Sequence, residues 1–192
     1  MVKIIIRGVP DRQEYIDYLN RVLPQAEWCI DTRFDIEPDR RVRHMKNFID
    51  ALMMGADVPC VHMEEDVIIT KDFINKLNFT ISQRPNELIQ FFSMRGDDIK
   101  KGSRYDNNYI MNQCFYLPAG YGRQIAEYYK SWGKLQELPS GSDLMINDWL
   151  KSRKEKYWIQ VPSLVEHRVT RSMIDKRRPQ KRQSKTFIDP VL

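Results

Sequence analysis

The side chains best suited to chemistry are three consecutive acids, Glu64, Glu65 and Asp66, which lie between two apolar runs. The run before them, residues 58–63, is typical of a buried strand, and the residues after Thr70 have the pattern of a helix that Thr70 caps. Carboxylates at a strand end lose hydration unless a cation or a solvated cleft surrounds them. Glu64 and Asp66 would point to one side of an extended backbone, which suits a hard divalent ion.

The elements that must position these acids alternate between strands and helices. The sequence predicts strands over residues 4–6, 26–31, 58–63, 88–93, 112–117 and 158–161. It predicts helices over residues 12–23, 41–55, 71–77, 121–132 and 142–152, the last one capped by Ser142. This order indicates an α/β domain with a mostly parallel central sheet flanked by helices, a Rossmann-like nucleotide-binding layer. Ligands of such sheets bind at the carboxyl ends of the strands, which is where the acids fall.

Composition restricts the class of protein. The chain has 192 residues, 42% of them hydrophobic and 30% charged, which is typical of one globular domain with a substantial core. No apolar run approaches the roughly 20 residues that span a bilayer, so we expect no integral membrane contact. Cys29, Cys60 and Cys114 lie in apolar surroundings without a Cys-x-x-Cys pair. This favours reduced core thiols and a cytoplasmic location, in the host cell if the protein is viral.

Positive charge is concentrated near the C-terminus. Between Arg168 and Lys185, eight Lys or Arg residues stand against one Asp, whereas the whole chain carries a net charge of +5. The remainder is therefore slightly acidic. A basic segment of this kind, residues 173–192, either binds phosphate backbones, anionic lipid or an acidic nucleotide, or is a solvated tail. If the partner is double-stranded DNA, the residues expected to contact phosphates are Arg177, Arg178, Lys181 and Arg182.

Residues 61–67 (Val-His-Met-Glu-Glu-Asp-Val), followed by Asp72 and Phe73, resemble the acidic DXD-type motif of glycosyltransferases with the GT-A fold. They are most similar to the EDD-motif family of lipooligosaccharide glycosyltransferases and related bacteriophage glycosyltransferases, although Glu65 stands where that family more often has Asp. Three other segments are similar to the family in the same order. They are the helix before the motif (residues 41–52), an acceptor-side helix (residues 141–150) and a closing Pro-Ser-Leu-Val-x-His element (residues 162–167).

The resemblance implies a GT-A-like domain over residues 1–172, with the basic segment 173–192 packed on it or extending from it. It implies transfer of a sugar from a UDP-sugar to a hydroxyl group, with Mn²⁺ or Mg²⁺ stabilising the charge on the departing diphosphate. The expected metal ligands are Asp66, Glu64 and His167, whereas His62, inside a strand, is typical of a structural histidine. The residues expected to bind the nucleotide sugar are Gly8, Val9, Pro10, Arg12, Asp31, Glu64, Glu65, Arg168 and Arg171.

Activation of the acceptor requires a general base if the reaction inverts at the anomeric carbon. Asp143 is the best candidate, because it lies one residue inside a predicted helix on the acceptor side. An Asp in a first helical turn is also favoured by capping and by the helix dipole, so a structural role is an equal alternative.

The acceptor is open at this point. A basic segment without a membrane anchor suits phage DNA that carries a hydroxymethylated pyrimidine, a base that the enzyme would have to extrude. It also suits a lipid-linked saccharide or cell-surface glycan at an anionic membrane. Another class of explanation is a non-catalytic nucleic-acid-binding module, and a metal-dependent nuclease or phosphotransferase is a further alternative.

Overall fold

The computed structural model describes residues 2–174 and 182–192. Its strands are β1 (Lys3–Gly8), β2 (Glu27–Ile30), β3 (Cys60–Glu64), β4 (Val67–Ile69), β5 (Ile89–Gln90), β6 (Arg104–Asp106), β7 (Cys114–Leu117), β8 (Tyr157–Ile159) and β9 (Val165–His167). Its helices are α1 (Gln13–Val22), α2 (Arg40–Met54), α3 (Phe73–Gln83), α4 (Asp98–Lys101), α5 (Tyr121–Ser131) and α6 (Ser142–Ser152), and a 3-10 turn (Pro10–Arg12) precedes α1.

The main sheet has seven strands in the described residues, in the order β2-β1-β3-β7-β5-β8-β6. Strand β1 is parallel to β2 and β3, and β5 is parallel to β8. The pairs β3–β7, β5–β7 and β6–β8 are antiparallel. The predicted α/β class is confirmed, but the prediction of a mostly parallel sheet is wrong, because the sheet is mixed. Strand β7 runs antiparallel to both of its neighbours, β3 and β5, and so separates the two parallel pairings of β1 from that of β5 with β8.

A second, two-stranded sheet lies directly after the acid cluster. In it β4 pairs antiparallel with β9, so that Val67 lies opposite His167. The sequence analysis did not predict either strand. The sheet continues into the C-terminal segment, because Thr70 forms an isolated bridge with Pro190 and Val191 donates its N–H to the Ile69 carbonyl at 2.9 Å. The second sheet therefore connects the acid cluster to the end of the chain.

The core occupies both faces of the main sheet. Alternate residues of β1 point to opposite faces, as the period of a strand requires. Ile4 and Ile6 pack in a cluster that also contains buried side chains of α1 and α3, whereas Ile5 packs with Ala51 of α2. A further cluster joins α2, α5 and α6 to β7. Burial of both faces explains why the strands were recognisable as nearly continuous apolar runs.

Two predicted helix starts differ from the structure. Helix α3 begins at Phe73 after Asp72, whose φ of 58° is left-handed, while the Thr70 hydroxyl donates to the Ile188 carbonyl at 2.9 Å instead of capping the helix. Helix α6 spans the predicted residues, but its N-cap position is Gly141 and Ser142 is its first residue. The hydroxyls of Thr70 and Ser142, which the sequence pattern assigned to helix caps, instead form hydrogen bonds with residues distant in sequence, Ile188 and Asn112.

The three cysteines lie on different strands and form no disulfide in the described part of the chain: Cys29 is on β2, Cys60 on β3 and Cys114 on β7. All are buried, as the sequence predicted. Burial raises the pKa of each thiol, that of Cys60 to about 12. Among the described residues, no helix combines the length and the apolar character that crossing a bilayer requires.

The crossing of α2 and α5 depends on a glycine. A Cβ atom added at Gly122 would lie 2.6 Å from the Leu52 carbonyl oxygen, a backbone atom that cannot move aside cheaply. We therefore expect Gly122→Ala to lower the free energy of unfolding by roughly 1–3 kcal/mol, despite the better helix propensity of Ala. Urea denaturation followed by circular dichroism measures the change.

Gly96→Ala is the matched control for this substitution. Among the described residues, no heavy atom lies within 4 Å of a Cβ atom built at Gly96. We expect its free energy of unfolding to stay within about 0.5 kcal/mol of the wild-type value. Equal losses in the two variants would show that the close approach at Gly122 is not the cause.

Candidate functional site

The carboxyl ends of the parallel strands β1, β2 and β3 meet at one edge of the sheet. Asp31, just after β2, donates its backbone N–H to the Gly8 carbonyl at the end of β1, at 3.0 Å. Glu64 ends β3, and Glu65 and Asp66 form the turn that leads into β4. Glu64 and Asp66 are therefore not two positions of one extended strand, as the sequence analysis assumed. The turn still directs all three acids toward one cavity.

Arg12 contacts both acids of this turn. Its Nη1 atom lies 3.0 Å from Glu65 Oε1 and 2.6 Å from Asp66 Oδ2, and all three side chains are about nine-tenths buried. Burial, together with the neighbouring Asp66 charge, raises the pKa of Glu65 above its usual range. Burial alone would raise the pKa of Asp66 too, but the neighbouring basic groups, Arg12 among them, outweigh it and hold that pKa below its usual value. The ionised form of Asp66 is thus the favoured one.

Glu64 belongs to a different set of contacts. Its Oε1 accepts a hydrogen bond from Arg7 Nη2 at 3.3 Å, and its Oε2 accepts one from Gln113 Nε2 at 3.2 Å. Arg7 is buried in β1 and also donates to the Asn112 carbonyl at 3.1 Å. These contacts fix the Glu64 carboxylate on the floor of the cavity, apart from the Arg12 contacts of Glu65 and Asp66.

The antiparallel pairing of β4 with β9 places His167 beside Asp66. The Nε2 atom of His167 is 3.4 Å from Asp66 Oδ2, and His167 is fully buried. The backbone N–H of Arg168 donates to the Asp66 carbonyl at 2.8 Å, which holds the two strands in register. Arg182, from the C-terminal segment, places its Nη2 atom 2.7 Å from His167 Nε2.

These groups surround a cavity of about 130 Å³. One side is formed by the acids and arginines, the other by the start of α6 and the loop before β7, and residues of the C-terminal segment close it. The lining side chains are those of Arg7, Val9, Arg12, His44, Glu64, Glu65, Asp66, Met111, Asn112, Gln113, Ser140, Ser142, Asp143, Ser172, Met173, Ile174 and Arg182.

Helix α6 brings the predicted base to the cavity. Asp143, its second residue, is half-buried, and its Oδ2 accepts a hydrogen bond from the Met111 N–H at 3.4 Å. The neighbouring Ser142 hydroxyl accepts from Asn112 Nδ2 at 2.9 Å and lies 3.2 Å from His44 Nε2. The start of α6 and the acid cluster therefore line the same cavity.

The loop before β7 supplies residues that the sequence analysis did not identify. Asn112 and Gln113 line the cavity although each is only 4% exposed, and in the described part of the structure Asn112 Oδ1 and Gln113 Oε1 have no hydrogen-bond partner. Met111 has a left-handed φ of 72°, and Gln90 Nε2 donates to its carbonyl at 2.8 Å. Strained backbone of this kind is typical of functional loops. Short sequence patterns do not reveal it.

A smaller cavity of about 50 Å³ adjoins the first and shares Val9 and His44 with it. Asp31 lines it as well, and its Oδ2 forms an ion pair with Arg43 Nε at 3.3 Å. The Arg43 guanidinium lies over the Phe34 ring, 4.4 Å from its centre. The sequence analysis predicted Val9 and Asp31 at this end of the site but did not identify Phe34, because an isolated aromatic residue in a loop carries no motif.

Several predicted residues do not line either cavity. Gly8 is buried in the strand end and Pro10 is exposed. The Arg168 guanidinium does not line either cavity. It lies over the rings of Tyr15 and Tyr18, 4.8 and 4.6 Å from their centres, where it forms cation–π contacts. Arg171 is exposed and contributes its carbonyl to Arg12. Arg177, Arg178 and Lys181 lie outside the described residues.

The side chains at this site offer donors for a divalent cation only in part. The described residues contain no group of three or more His, Cys, Asp or Glu side chains arranged as a complete metal cage. Asp66 and His167 nevertheless offer a carboxylate and an imidazole side by side, and Asp66 Oδ1 is buried without a partner among those residues. An oxygen and a nitrogen donor fit Mn²⁺, whose remaining ligands would come from phosphate and water.

The chain shares its fold with A197 from STIV. The two structures superpose with a TM-score of 0.51 and 16% sequence identity, over 92% of this chain and 88% of A197. At this identity the similarity shows the fold and nothing about activity. No protein family matches the sequence, and no curated protein is similar to it. The resemblance to glycosyltransferases therefore depends on the motifs and on the geometry of the site.

The third residue of β3, His62, lies outside the site. Its ring is fully buried and stacks on Phe115 with centres 5.3 Å apart, and neither ring nitrogen has a partner in the described residues. Burial, with smaller contributions from the charges of Arg7 and Lys3, lowers the pKa of His62 to about 3. The imidazole is held neutral in the core.

We expect His62→Leu to remove an acid sensitivity of the fold. The folded pKa of about 3 lies below the unfolded value of about 6.5, so between these values mainly the unfolded state gains a proton. Wild-type stability should thus fall by up to about 1.4 kcal/mol per pH unit as the pH drops through this window. The Leu variant lacks this contribution. Urea titrations at about pH 7.5, 6 and 5 measure it, and parallel declines in both proteins would contradict the assignment.

Proposed function

We propose that this protein is a glycosyltransferase that uses a nucleotide sugar, a UDP-sugar in the first instance, together with a divalent cation. The observation that supports this most directly is the pair formed by Asp66 and His167, which lie far apart in sequence and 3.4 Å apart in the structure. Each belongs to a motif that resembles the same enzyme family. Their meeting at the carboxyl end of parallel strands agrees with the position where α/β sheets bind nucleotides.

Asp66 and His167 would hold the cation, with Mn²⁺ favoured somewhat over Mg²⁺ by the imidazole donor. When bound, the cation would supply Lewis-acid stabilisation of the negative charge on the departing diphosphate. Glu64 is not required as a ligand, because Arg7 and Gln113 already hold its carboxylate. Arg12 has a different role: its single positive charge compensates the buried Asp66 carboxylate, and it also donates a hydrogen bond to Glu65.

The nucleoside would occupy the smaller cavity, where Val9, Asp31 and Phe34 provide an apolar wall, a carboxylate and an aromatic face. The two cavities of about 130 and 50 Å³ are small beside the roughly 300–1,000 Å³ of typical ligand pockets. Binding therefore requires side chains of residues 172–174 or Arg182 to withdraw. Because Met173 and Ile174 line both cavities, they are the first that would have to move.

Asp143 is the proposed general base. It lines the same cavity as Asp66, and its Oδ1 accepts the Leu144 N–H at 3.0 Å while its Oδ2 accepts that of Met111. Two backbone hydrogen bonds orient the carboxylate without neutralising it. An acceptor hydroxyl that enters between α6 and the acid cluster would meet this carboxylate, and deprotonation there would activate its oxygen for attack.

For the acceptor, the basic residues between Arg168 and Lys185 favour a polyanion, and DNA with a hydroxymethylated pyrimidine remains our first proposal. Arg182 is not among the residues that we propose to contact DNA phosphates, because its guanidinium lines the cavity and contacts His167. A lipid-linked saccharide or cell-surface glycan is the alternative. A non-catalytic nucleic-acid-binding module explains neither the Asp66–His167 pair nor the oriented Asp143.

Metal-dependent nucleotide binding is the first test. We expect UDP with Mn²⁺ to raise the melting temperature, because a ligand at about 100 times its Kd adds roughly 2.7 kcal/mol to the free energy of unfolding. Asp66→Asn should abolish this shift. Asp148→Asn is the control, since Asp148 pairs with Lys134 and does not line the cavity. A wild-type protein that UDP and Mn²⁺ leave unchanged at about 1 mM would overturn the proposal.

The second test identifies the acceptor. Incubation with UDP-glucose, UDP-galactose and UDP-N-acetylglucosamine, each with hydroxymethylcytosine DNA or with a lipid-linked saccharide, should add the mass of one sugar residue, a hexose or an N-acetylhexosamine according to the donor, to one acceptor class. Asp143→Asn should lower the rate by about two to four orders of magnitude while UDP binding is kept, as expected for loss of a general base. Transfer to saccharide with none to DNA would replace the DNA proposal by its alternative.

A further inference from the structure

Arg182 contacts the His167 ring nitrogen, Nε2, that would bind the cation. Its Nη2 lies 2.7 Å from His167 Nε2, and a guanidinium can only donate, so this nitrogen accepts with its single lone pair. The same lone pair would have to bind a metal ion. Hydrogen bonding to Arg182 and metal ligation by His167 Nε2 therefore exclude each other.

The other proposed ligand is not blocked in this way. Asp66 Oδ2 contacts Arg12, but Asp66 Oδ1 is buried and has no hydrogen-bond partner within the described residues. A cation could approach Oδ1 while Arg12 stays in place. Among the residues described, displacement of Arg182 from His167 is thus the step that cation binding demands.

The backbone next to Arg182 is anchored. Ser184 donates its N–H to Glu166 Oε1 at 3.0 Å and its hydroxyl to Ser163 Oγ at 2.9 Å. Ser163 in turn donates its N–H to Thr186 Oγ1 at 3.2 Å. These contacts hold the segment against β9 and its preceding loop, so the guanidinium can leave His167 by rotation of the long Arg182 side chain while its backbone stays at the cavity wall.

We propose that the Arg182 guanidinium exchanges between two hydrogen-bond acceptors. It binds the His167 ring nitrogen when no cation is present, and it binds the diphosphate of the nucleotide when a cation is bound to His167. This rests on the proposed function. A planar guanidinium beside the cavity is suited to bidentate contact with phosphate oxygens. Arg182 then serves as an internal substitute for the cation in the empty site and as a phosphate ligand in the loaded one, which makes cation binding and nucleotide binding cooperative.

The exchange predicts effects of opposite sign for one substitution. Arg182→Gln should bind Mn²⁺ about tenfold more tightly in the absence of nucleotide, because a charge-assisted hydrogen bond no longer competes for His167. With Mn²⁺ saturating, the same variant should bind UDP about tenfold more weakly, because a phosphate ligand is lost. A residue with a purely structural role would weaken both affinities or neither.

Mn²⁺ affinity is measured by electron paramagnetic resonance of the free ion, and UDP affinity by isothermal titration calorimetry at saturating Mn²⁺. Arg171→Gln is the matched control. It removes the same charge close to the site, but the contact of Arg171 with the site is through its backbone carbonyl, which the substitution keeps. Its Mn²⁺ affinity should stay within about twofold of the wild type. Thermal melts of all proteins verify that each variant is folded.

The outcomes separate the two proposals. Equal Mn²⁺ affinities in wild type and Arg182→Gln, with both proteins binding UDP, would overturn the exchange and leave the glycosyltransferase proposal standing. Tighter Mn²⁺ binding with unchanged UDP affinity would overturn the phosphate role of Arg182. A similar gain in Arg171→Gln would show that net charge is responsible and would overturn the lone-pair competition. Absence of both Mn²⁺ and UDP binding in the wild type would instead count against the proposed function.

Discussion

Two adjacent acidic side chains, Glu65 and Asp66, lie buried at the end of a strand, and one guanidinium, that of Arg12, contacts both. Loss of one partner of a buried ion pair typically costs about 3–5 kcal/mol, since it leaves an uncompensated charge. Evidently the fold must bring Arg12, from the turn after β1, to the turn after β3. The parallel pairing of β1 with β3 achieves this, because it places the carboxyl ends of both strands at one edge.

The second sheet adds what the main sheet lacks. A carboxylate and its arginine could form a purely structural ion pair, but β9 brings a fully buried imidazole to the same place. His167 Nε2 lies 3.4 Å from the Asp66 carboxylate, which Arg12 also contacts, so three polar side chains are buried together. Polar groups that cost stability are most readily understood where a ligand uses them. The site thus consists of a structural part, made by β1 and β3, and a part suited to ligands, made by β4 and β9.

Local pattern was sufficient for the elements that are apolar throughout, such as residues 4–6 and 60–63, and for the position of the acids at a strand end. It failed for the three-residue strands β4, β6 and β9. It also failed for strand direction, since the antiparallel β7 follows a loop that no propensity rule identifies. Arg182 was predicted to contact DNA phosphates, whereas its neighbours Ser184 and Thr186 anchor the segment against the loop before β9 through hydroxyl contacts. Amide side chains such as Asn112 are usually exposed, so their burial at the cavity could only come from the fold.

The arrangement of the cysteines has a practical consequence. One thiol lies on each of β2, β3 and β7, which are an edge strand, an inner strand and the central strand of the seven-stranded sheet. Their burial and raised pKa values make them unreactive toward alkylating reagents in the native state. The rate at which each becomes labelled therefore reports how often its own strand opens. Mass spectrometry of pulse-alkylated protein would read out the local opening of three strands without any engineered probe.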